Sequence, residues 1–330
     1  MDSLKLPIPL DIYASLLREC TENGDVVRGA EVHSHISRSI RQPGVVVNNR
    51  LLIMYLSCGG LDAARKLFDN MSVKDSVSWA SMIAGYVDEG EYVLCLKLFK
   101  QMLENGFGVT SLIVVCVLKA CIHVNEFELG TQIHGLVLKT GCISSSSDMY
   151  MGSLFIDFYG KFKLLKQARL VFDHLGHRDT VIWTAMIALY IQKENFDEGL
   201  ELFKKMVMDG VKKNNFTFSC MIKACARIGD DGRCGKQVHA DAIKLGVESN
   251  FFVECSLVDM YGKCGLLKDA RKAFEMICNK RNVVCWNAML SGYIRYGSYQ
   301  EAIKFLYLMK GAGIQPQESM LDEVRIACGG

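Results

Sequence analysis

Apolar residues along this chain return at the spacing of one helical face. Trp183, Ile187 and Tyr190 stand at i, i+4 and i+7, and beyond the polar break Gln192-Lys-Glu-Asn195 a second stripe follows at Leu200, Phe203 and Val207. That is the period of an amphipathic helix. Breaks at Ser57-Cys-Gly-Gly60, Asp88-Glu-Gly90 and Tyr296-Gly-Ser298 supply residues that end one helix and release the next. The pattern predicts a helix, a short turn and a second helix, repeated.

The repetition is literal. The three tryptophans, Trp79, Trp183 and Trp286, lie 104 and 103 residues apart in one recurring phrase: Ser76-Val-Ser-Trp79-Ala-Ser-Met-Ile-Ala-Gly-Tyr86, Thr180-Val-Ile-Trp183-Thr-Ala-Met-Ile-Ala-Leu-Tyr190 and Val283-Val-Cys-Trp286-Asn-Ala-Met-Leu-Ser-Gly-Tyr293. Within that period two related phrases also recur. One carries Leu-Leu-Arg-Glu-Cys20, Leu-Lys-Ala-Cys121 and Ile-Lys-Ala-Cys225, followed by His33, His134 and His239. The other pairs Tyr55, Tyr159 and Tyr261 with Ala64-Arg-Lys-Leu-Phe68, Ala168-Arg-Leu-Val-Phe172 and Ala270-Arg-Lys-Ala-Phe274. A helical hairpin cannot bury both its faces, so copies must stack on their neighbours into an array with a long concave groove. The recurring Trp, Tyr, Phe, Cys and Met residues are expected in the core of that array.

Composition agrees with helices throughout. Of 330 residues, 50% are hydrophobic and 22% charged, enough apolar material for a continuous core. The four prolines are Pro7, Pro9, Pro43 and Pro316, leaving residues 44–315 without one; proline costs roughly 3 kcal/mol inside a helix. No apolar run reaches the length of a membrane span, and the first residues have neither a signal layout nor the Arg- and Ser-rich character of an organelle presequence. Many of the fourteen cysteines recur in register, as at Cys20, Cys121, Cys225 and Cys328, and the cysteines are expected to pack as small unpaired hydrophobes in a reducing compartment. The chain contains no Cys-x-x-Cys, and its seven histidines fall into no metal-ligand spacing with the cysteines. No metal, cofactor or catalytic residue is expected. A net charge of +2 neither advertises a nucleic-acid partner nor excludes one carried on a single face.

The phrases Val-Val-Cys-Trp-Asn-Ala-Met-Leu-Ser-Gly-Tyr, Asp-Met-Tyr-Gly-Lys-Cys-Gly and Phe-Thr-Phe-Ser-Cys-Met-Ile-Lys-Ala-Cys resemble the pentatricopeptide repeat proteins, and within them the plant class that cycles long, short and standard motifs. The resemblance covers about nine tenths of the chain and implies an all-α fold, a right-handed superhelical α-solenoid of about nine helix-turn-helix units. Aligned to it, a leader at 1–9 precedes units at 10–44, 45–75, 76–110, 111–148, 149–179, 180–214, 215–250, 251–282 and 283–317, with a tenth cut short at 318–330. Many members of the class continue into a zinc deaminase, whose His-x-Glu and Cys-x-x-Cys do not occur together here. The chain is expected not to be an enzyme.

Such repeats read one base per helical repeat of single-stranded RNA. The resemblance implies that the fifth and last residues of each motif meet a base edge and the second residue sandwiches it. The base-reading pairs so implied are Asn49 with Asp75, Ser153 with Asp179, Thr184 with Asn214, Ser219 with Asn250 and Asn287 with Gln317. The sandwiching residues include Val46, Val77, Leu112, Tyr150, Val181, Phe216, Phe252 and Val284. Aspartate only accepts, which suits guanine's donors, whereas asparagine donates and accepts and so suits adenine's mixed edge. The pairs resemble, in that order, readers of uracil, guanine and adenine, a second adenine pair in a long motif, and a weak pyrimidine reader. Ala80 with Thr110, Val115 with Asp148 and Cys255 with Asn282 fit no rule. The implied target is near 5′-U-n-n-G-A-a-n-y, in chloroplast or mitochondrion, for editing, splicing or transcript stabilisation, with an editing cofactor or a deaminase supplied by another chain as a possible second partner. The alternative is a tetratricopeptide-like scaffold that binds proteins.

Overall fold

The computed structural model describes residues 8–40, 43–140, 147–228, 231–247, 249–277 and 282–327. Most of the expected leader 1–9, and Cys328, lie outside them. The described residues form nineteen helices and no strand. The chain divides into two compact units, 1–164 and 165–330.

In the first unit, five helices run α1 (Leu10–Asn23), α3 (Val45–Ser57), α5 (Ser76–Asp88), α7 (Ser111–Val124) and α9 (Ser147–Lys161), and between them come α2 (Val26–Ser39), α4 (Leu61–Asn70), α6 (Tyr92–Glu104) and α8 (Phe127–Thr140). Each odd-numbered helix packs on the next odd one, α1 on α3 through to α7 on α9, and each even helix packs on the odd helices before and after it. The second unit repeats the scheme, with α11 (Thr180–Gln192), α13 (Asn215–Ile228), α15 (Phe251–Lys263), α17 (Val283–Arg295) and α19 (Glu318–Ala327) in one row. Behind them stand α10 (Leu165–His174), α12 (Phe196–Met208), α14 (Arg233–Lys244), α16 (Leu267–Met276) and α18 (Tyr299–Gly311).

The two rows differ in burial because they differ in neighbours. In α11, Ile182, Trp183, Thr184, Met186, Ile187, Leu189 and Tyr190 are all buried, whereas α12 buries only Gly199, Leu202, Phe203 and Met206. A helix packed on both sides and behind loses its polar face; a helix packed on one side keeps it. The second stripe expected at Leu200, Phe203 and Val207 is therefore corrected. Phe203 is buried, but Val207 is exposed and Met206 takes its place in the core.

The recurring phrases meet one another in space. Phe68 lies edge-on to Trp79, Phe172 to Trp183 and Phe274 to Trp286, with ring centroids 5.0, 5.0 and 4.7 Å apart. Edge-to-face pairs contribute about 0.5–1.5 kcal/mol beyond their buried area. The histidine phrase joins the tyrosine phrase in the same regular way: Nδ1 of His33, His134 and His239 lies 2.9, 2.7 and 2.8 Å from the hydroxyls of Tyr55, Tyr159 and Tyr261. These contacts tie α2, α4, α8, α10, α14 and α16 each to the odd helix after it. The expected core positions Cys20, Cys121 and Cys225 are buried.

One cysteine pair departs from the expectation of unpaired thiols. Cys255 of α15 and Cys285 of α17 form a disulfide, their Cα atoms 5.0 Å apart. The fifth residue of one odd helix and the third of the next face each other across the row, within disulfide reach. Thirty residues of sequence separation conceal that contact.

Candidate nucleic-acid interface

The second residue of almost every odd helix is a large apolar side chain left in water. Val46, Val77, Leu112, Val181, Phe216, Phe252 and Val284 hold that place, and Tyr150 stands near the start of α9; all are roughly half exposed or more, Val46 reaching 69% and Phe252 67%. The residue that follows each, from Val47 to Cys285, is buried, so the exposure is a property of the position. Burying a Val or Phe side chain is worth about 1.5–3 kcal/mol. Eight such residues make a recurring exposed apolar surface, and a surface of that kind suits something flat and apolar. Lys119 lies over the Tyr150 ring, 5.8 Å from its centroid, and its bond to the Tyr150 hydroxyl raises the ammonium's pKa against the opposing effect of burial.

Beside these platforms sit polar groups in short hydrogen-bond chains. Asn49, fifth in α3, is 7% exposed, and its amide N–H group donates to both carboxylate oxygens of Asp75 at 2.9 and 3.1 Å. Its Oδ1 accepts from the Ser78 hydroxyl at 2.6 Å. Asp75 also caps α5, accepting the Ser78 backbone N–H at 2.9 Å in a capping box. Burial pushes its carboxyl up, but the bonds from the Ser78 backbone, Asn49, the Ser78 hydroxyl and Val77 outweigh this and hold it below its ordinary value.

The second unit contains the same chain of bonds in other residues. Thr184, fifth in α11 and 4% exposed, is 2.7 Å from the Thr217 hydroxyl, which donates to Asn214 Oδ1 at 2.8 Å; that oxygen also accepts the Thr217 backbone N–H at 2.9 Å. Farther along, Ser219 meets the Ser256 hydroxyl at 2.9 Å, and Ser256 donates to the Phe252 carbonyl. Asn250 and Asn282 each cap the helix that follows, through the N–H groups of Phe252 and Val284. Asn287 Oδ1 is buried without a hydrogen-bond partner, and Gln317 is exposed at the head of α19.

Ser153 donates to the Tyr150 carbonyl at 2.8 Å, in the first unit; Asp179 caps α11 through the Ile182 N–H at 3.0 Å, in the second. The fifth residues thus lie mostly buried between odd helices, and the last residues of the expected motifs stand at helix N-termini. A cavity of about 460 Å³ in the second unit gathers several of them, with Phe252, Cys255, Asn282, Val284, Asn287 and Met320 on its walls. A cavity of about 550 Å³ between α1 and α2, lined by charged residues such as Glu19, Arg28 and Glu31, holds none of the implied site residues. The exposed apolar positions, which recur within each unit, are the candidate site.

Sequence reasoning overlooked Ser78 and Thr217, third in α5 and α13. Their signal was present as the capping-box spacing Asp75-x-x-Ser78 and Asn214-x-x-Thr217. Among the described residues no group of His, Cys, Asp and Glu side chains is placed to hold a metal ion, and no helix is long and apolar enough to cross a membrane.

Profiles of known families match the chain in several places. The PPR repeat family profile matches residues 178–227, and the PPR repeat profile matches 77–107, 255–281 and 284–314. A pentatricopeptide repeat-containing protein of Arabidopsis thaliana is 42% identical over 330 residues, which cover 99% of this chain and 80% of that one. Two others of the same plant, one mitochondrial and one chloroplastic, are 37% and 34% identical over 94% and 96% of this chain; the chain spans 49% and 50% of their lengths. The crystal structure of the pentatricopeptide repeat protein PPR10 in complex with an 18-nt psaJ RNA element superposes with a TM-score of 0.73 at 15% identity, over 97% of this chain and 48% of that one.

Proposed function

Because the chain belongs to the pentatricopeptide repeat family, we propose that it is a sequence-specific single-stranded RNA-binding protein of organelle RNA metabolism, acting in editing-site recognition, splicing or transcript stabilisation. The observation that carries this reading is the recurrence of exposed apolar residues, Val46 to Tyr150 in the first unit and Val181 to Val284 in the second, of which Val46, Tyr150, Val181, Phe216 and Val284 each stand three residues before a polar side chain. An apolar face accepts a base of any identity, and a polar group one helical turn on meets its edge. Double-stranded RNA offers no unstacked bases to such platforms.

The units proposed are those aligned from 10–44 to 283–317. The second helix shortens to 10 residues at α4, α10 and α16, against 12 to 14 in the other described even helices, and this supports the cycle of long, short and standard motifs. The base-reading pairs are Asn49 with Asp75, Ser153 with Asp179, Thr184 with Asn214, Ser219 with Asn250 and Asn287 with Gln317, and the target is near 5′-U-n-n-G-A-a-n-y. The mitochondrial and chloroplastic relatives support an organelle as the place of action. An editing cofactor or a deaminase from another chain is the further partner this reading admits.

The test is binding of a labelled synthetic RNA of that pattern against a shuffled RNA of equal composition and against a duplex. The expected result is preference for the patterned single strand. Equal binding of patterned and shuffled strands would overturn sequence reading, and no single-strand binding would overturn the function.

A further inference from the structure

The hydroxyls of Ser78 and Thr217 belong to neither a platform nor an implied reading pair, yet each is buried at the centre of one. We propose that these third-position hydroxyls are positioning residues that set the hydrogen-bonding polarity of the reading pair beside them, Thr217 for Thr184 with Asn214 and Ser78 for Asn49 with Asp75. The inference rests on the RNA-reading function proposed above and adds residues that the pairs alone leave out.

The hydrogen bookkeeping fixes the polarity. Asn214 Oδ1 accepts both the backbone N–H and the hydroxyl of Thr217, at 2.9 and 2.8 Å. Its oxygen is therefore engaged, and its amide nitrogen is left to donate. A hydroxyl has one proton, and Thr217 has given it to Asn214. The 2.7 Å contact between the two threonine hydroxyls must then be a donation from Thr184 to Thr217, which leaves Thr184 only acceptor capacity. The pair thus offers one donor and one acceptor, the complement of adenine's ring acceptor and amino donor. Without the Thr217 hydroxyl the Thr217 backbone N–H still orients the Asn214 amide, but nothing assigns Thr184 its acceptor role, because a threonine hydroxyl can turn.

The chain contains a second instance and a natural counterexample. At Asn49 the Ser78 hydroxyl, whose one proton has its shorter contact with Oδ1 at 2.6 Å and its longer one with Asp75 Oδ1 at 3.0 Å, faces the amide oxygen while the amide N–H group is held by Asp75, so the amide has one orientation. At Asn287 the third residue of the following helix is Met320, which has no proton to give. Asn287 Oδ1 is there buried with no hydrogen-bond partner, although both residues line the same cavity. The same residue type at the fifth position is oriented where the third residue carries a hydroxyl and is left unpartnered where it does not.

The experiment measures binding of the full chain to sets of four RNAs, each set differing only at the base opposite one pair: Thr184 with Asn214, Asn49 with Asp75, or Asn287 with Gln317. Thr217→Val keeps the side-chain shape and removes the hydroxyl; Thr217→Ser restores it. The expected result is that Thr217→Val lowers discrimination for adenine by about tenfold, the low end of what one bidentate base contact supplies, while preference opposite Asn49 and Asp75 is unchanged. Thr217→Ser should keep the discrimination of the native chain. In the opposite direction, Met320→Thr should give Asn287 a donor and sharpen base preference at its position by about threefold, roughly the worth of one modest hydrogen bond. A loss in Thr217→Val that is equal for all four bases would assign Thr217 to helix capping alone and overturn the inference, as would unchanged discrimination. Should Thr217→Val fail to fold, an unchanged preference in Met320→Thr overturns it. A native chain that binds all four RNAs of each set equally would overturn base reading itself, and the inference with it.

Discussion

Phe252 shows what one residue contributes. It holds a second position with two thirds of its surface in water, on the wall of the cavity that also contains Asn282 and Asn287. It has little fold to support. Phe252→Ala should therefore leave the melting temperature nearly unchanged and weaken binding of every single-stranded RNA by about 1–3 kcal/mol, the worth of one stacked base; titration against patterned and shuffled strands would show the uniform loss. Two half-buried histidines work the other way. Burial lowers the pKa of His33 and of His134, each beside a tyrosine hydroxyl. The folded chain takes up a proton on either less readily than the unfolded chain, which protonates them below about pH 6.5. The unfolded state then binds more protons, so their stability contribution is present above that pH and lost as pH falls below it. A melting temperature that drops between about pH 7.5 and pH 5.5, and drops less when both are replaced by asparagine, is the expected outcome.

Helices in the odd row approach one another as closely as their small residues permit. A Cβ built on Gly292 of α17 would stand 3.0 Å from the Gly262 Cα of α15, backbone against backbone, whereas one built on Gly135 of α8 meets nothing within 4 Å. Gly→Ala within a helix is ordinarily favourable by roughly 0.5–1 kcal/mol. Gly135→Ala should show that gain, and Gly292→Ala should instead destabilise by about 1 kcal/mol as the two helices are forced apart. Denaturant melts of the two variants would separate them, and a gain at Gly292 would mean that the close approach is soft. Between rows the tie is the aromatic pair repeated at Phe68–Trp79, Phe172–Trp183 and Phe274–Trp286. A cationic neighbour recurs with it: Arg65 donates to the Tyr86 hydroxyl at 3.1 Å, and Arg169 and Arg271 are held in the charged form partly by bonds to Tyr190 and Tyr293.

Over the whole molecule the charge balance bounds how RNA is held. A net charge of only +2 favours the platforms and the polar pairs, rather than counterion release, as the larger source of affinity. For single strands the logarithm of affinity falls with the logarithm of salt at about 0.7 per phosphate contact. A slope of magnitude about 3 or less between low and moderate salt is expected; a much steeper one would mean a phosphate-binding face. The sequence alone determined that this is an array of helical hairpins, because stacking copies must repeat their core residues and the period of Trp79, Trp183 and Trp286 records that. It also placed the helix ends, since Gly and Asx residues that stop and cap helices act locally. Only the tertiary structure decided that Met206 rather than Val207 enters the core, that Cys255 bonds Cys285, and that Ser78 and Thr217 complete the polar chains. Each of these depends on which residues of neighbouring helices face each other, and that is set by the packing of one hairpin on the next, 30 residues or so away along the chain. Hydrophobic period specifies a face; it does not specify what that face meets.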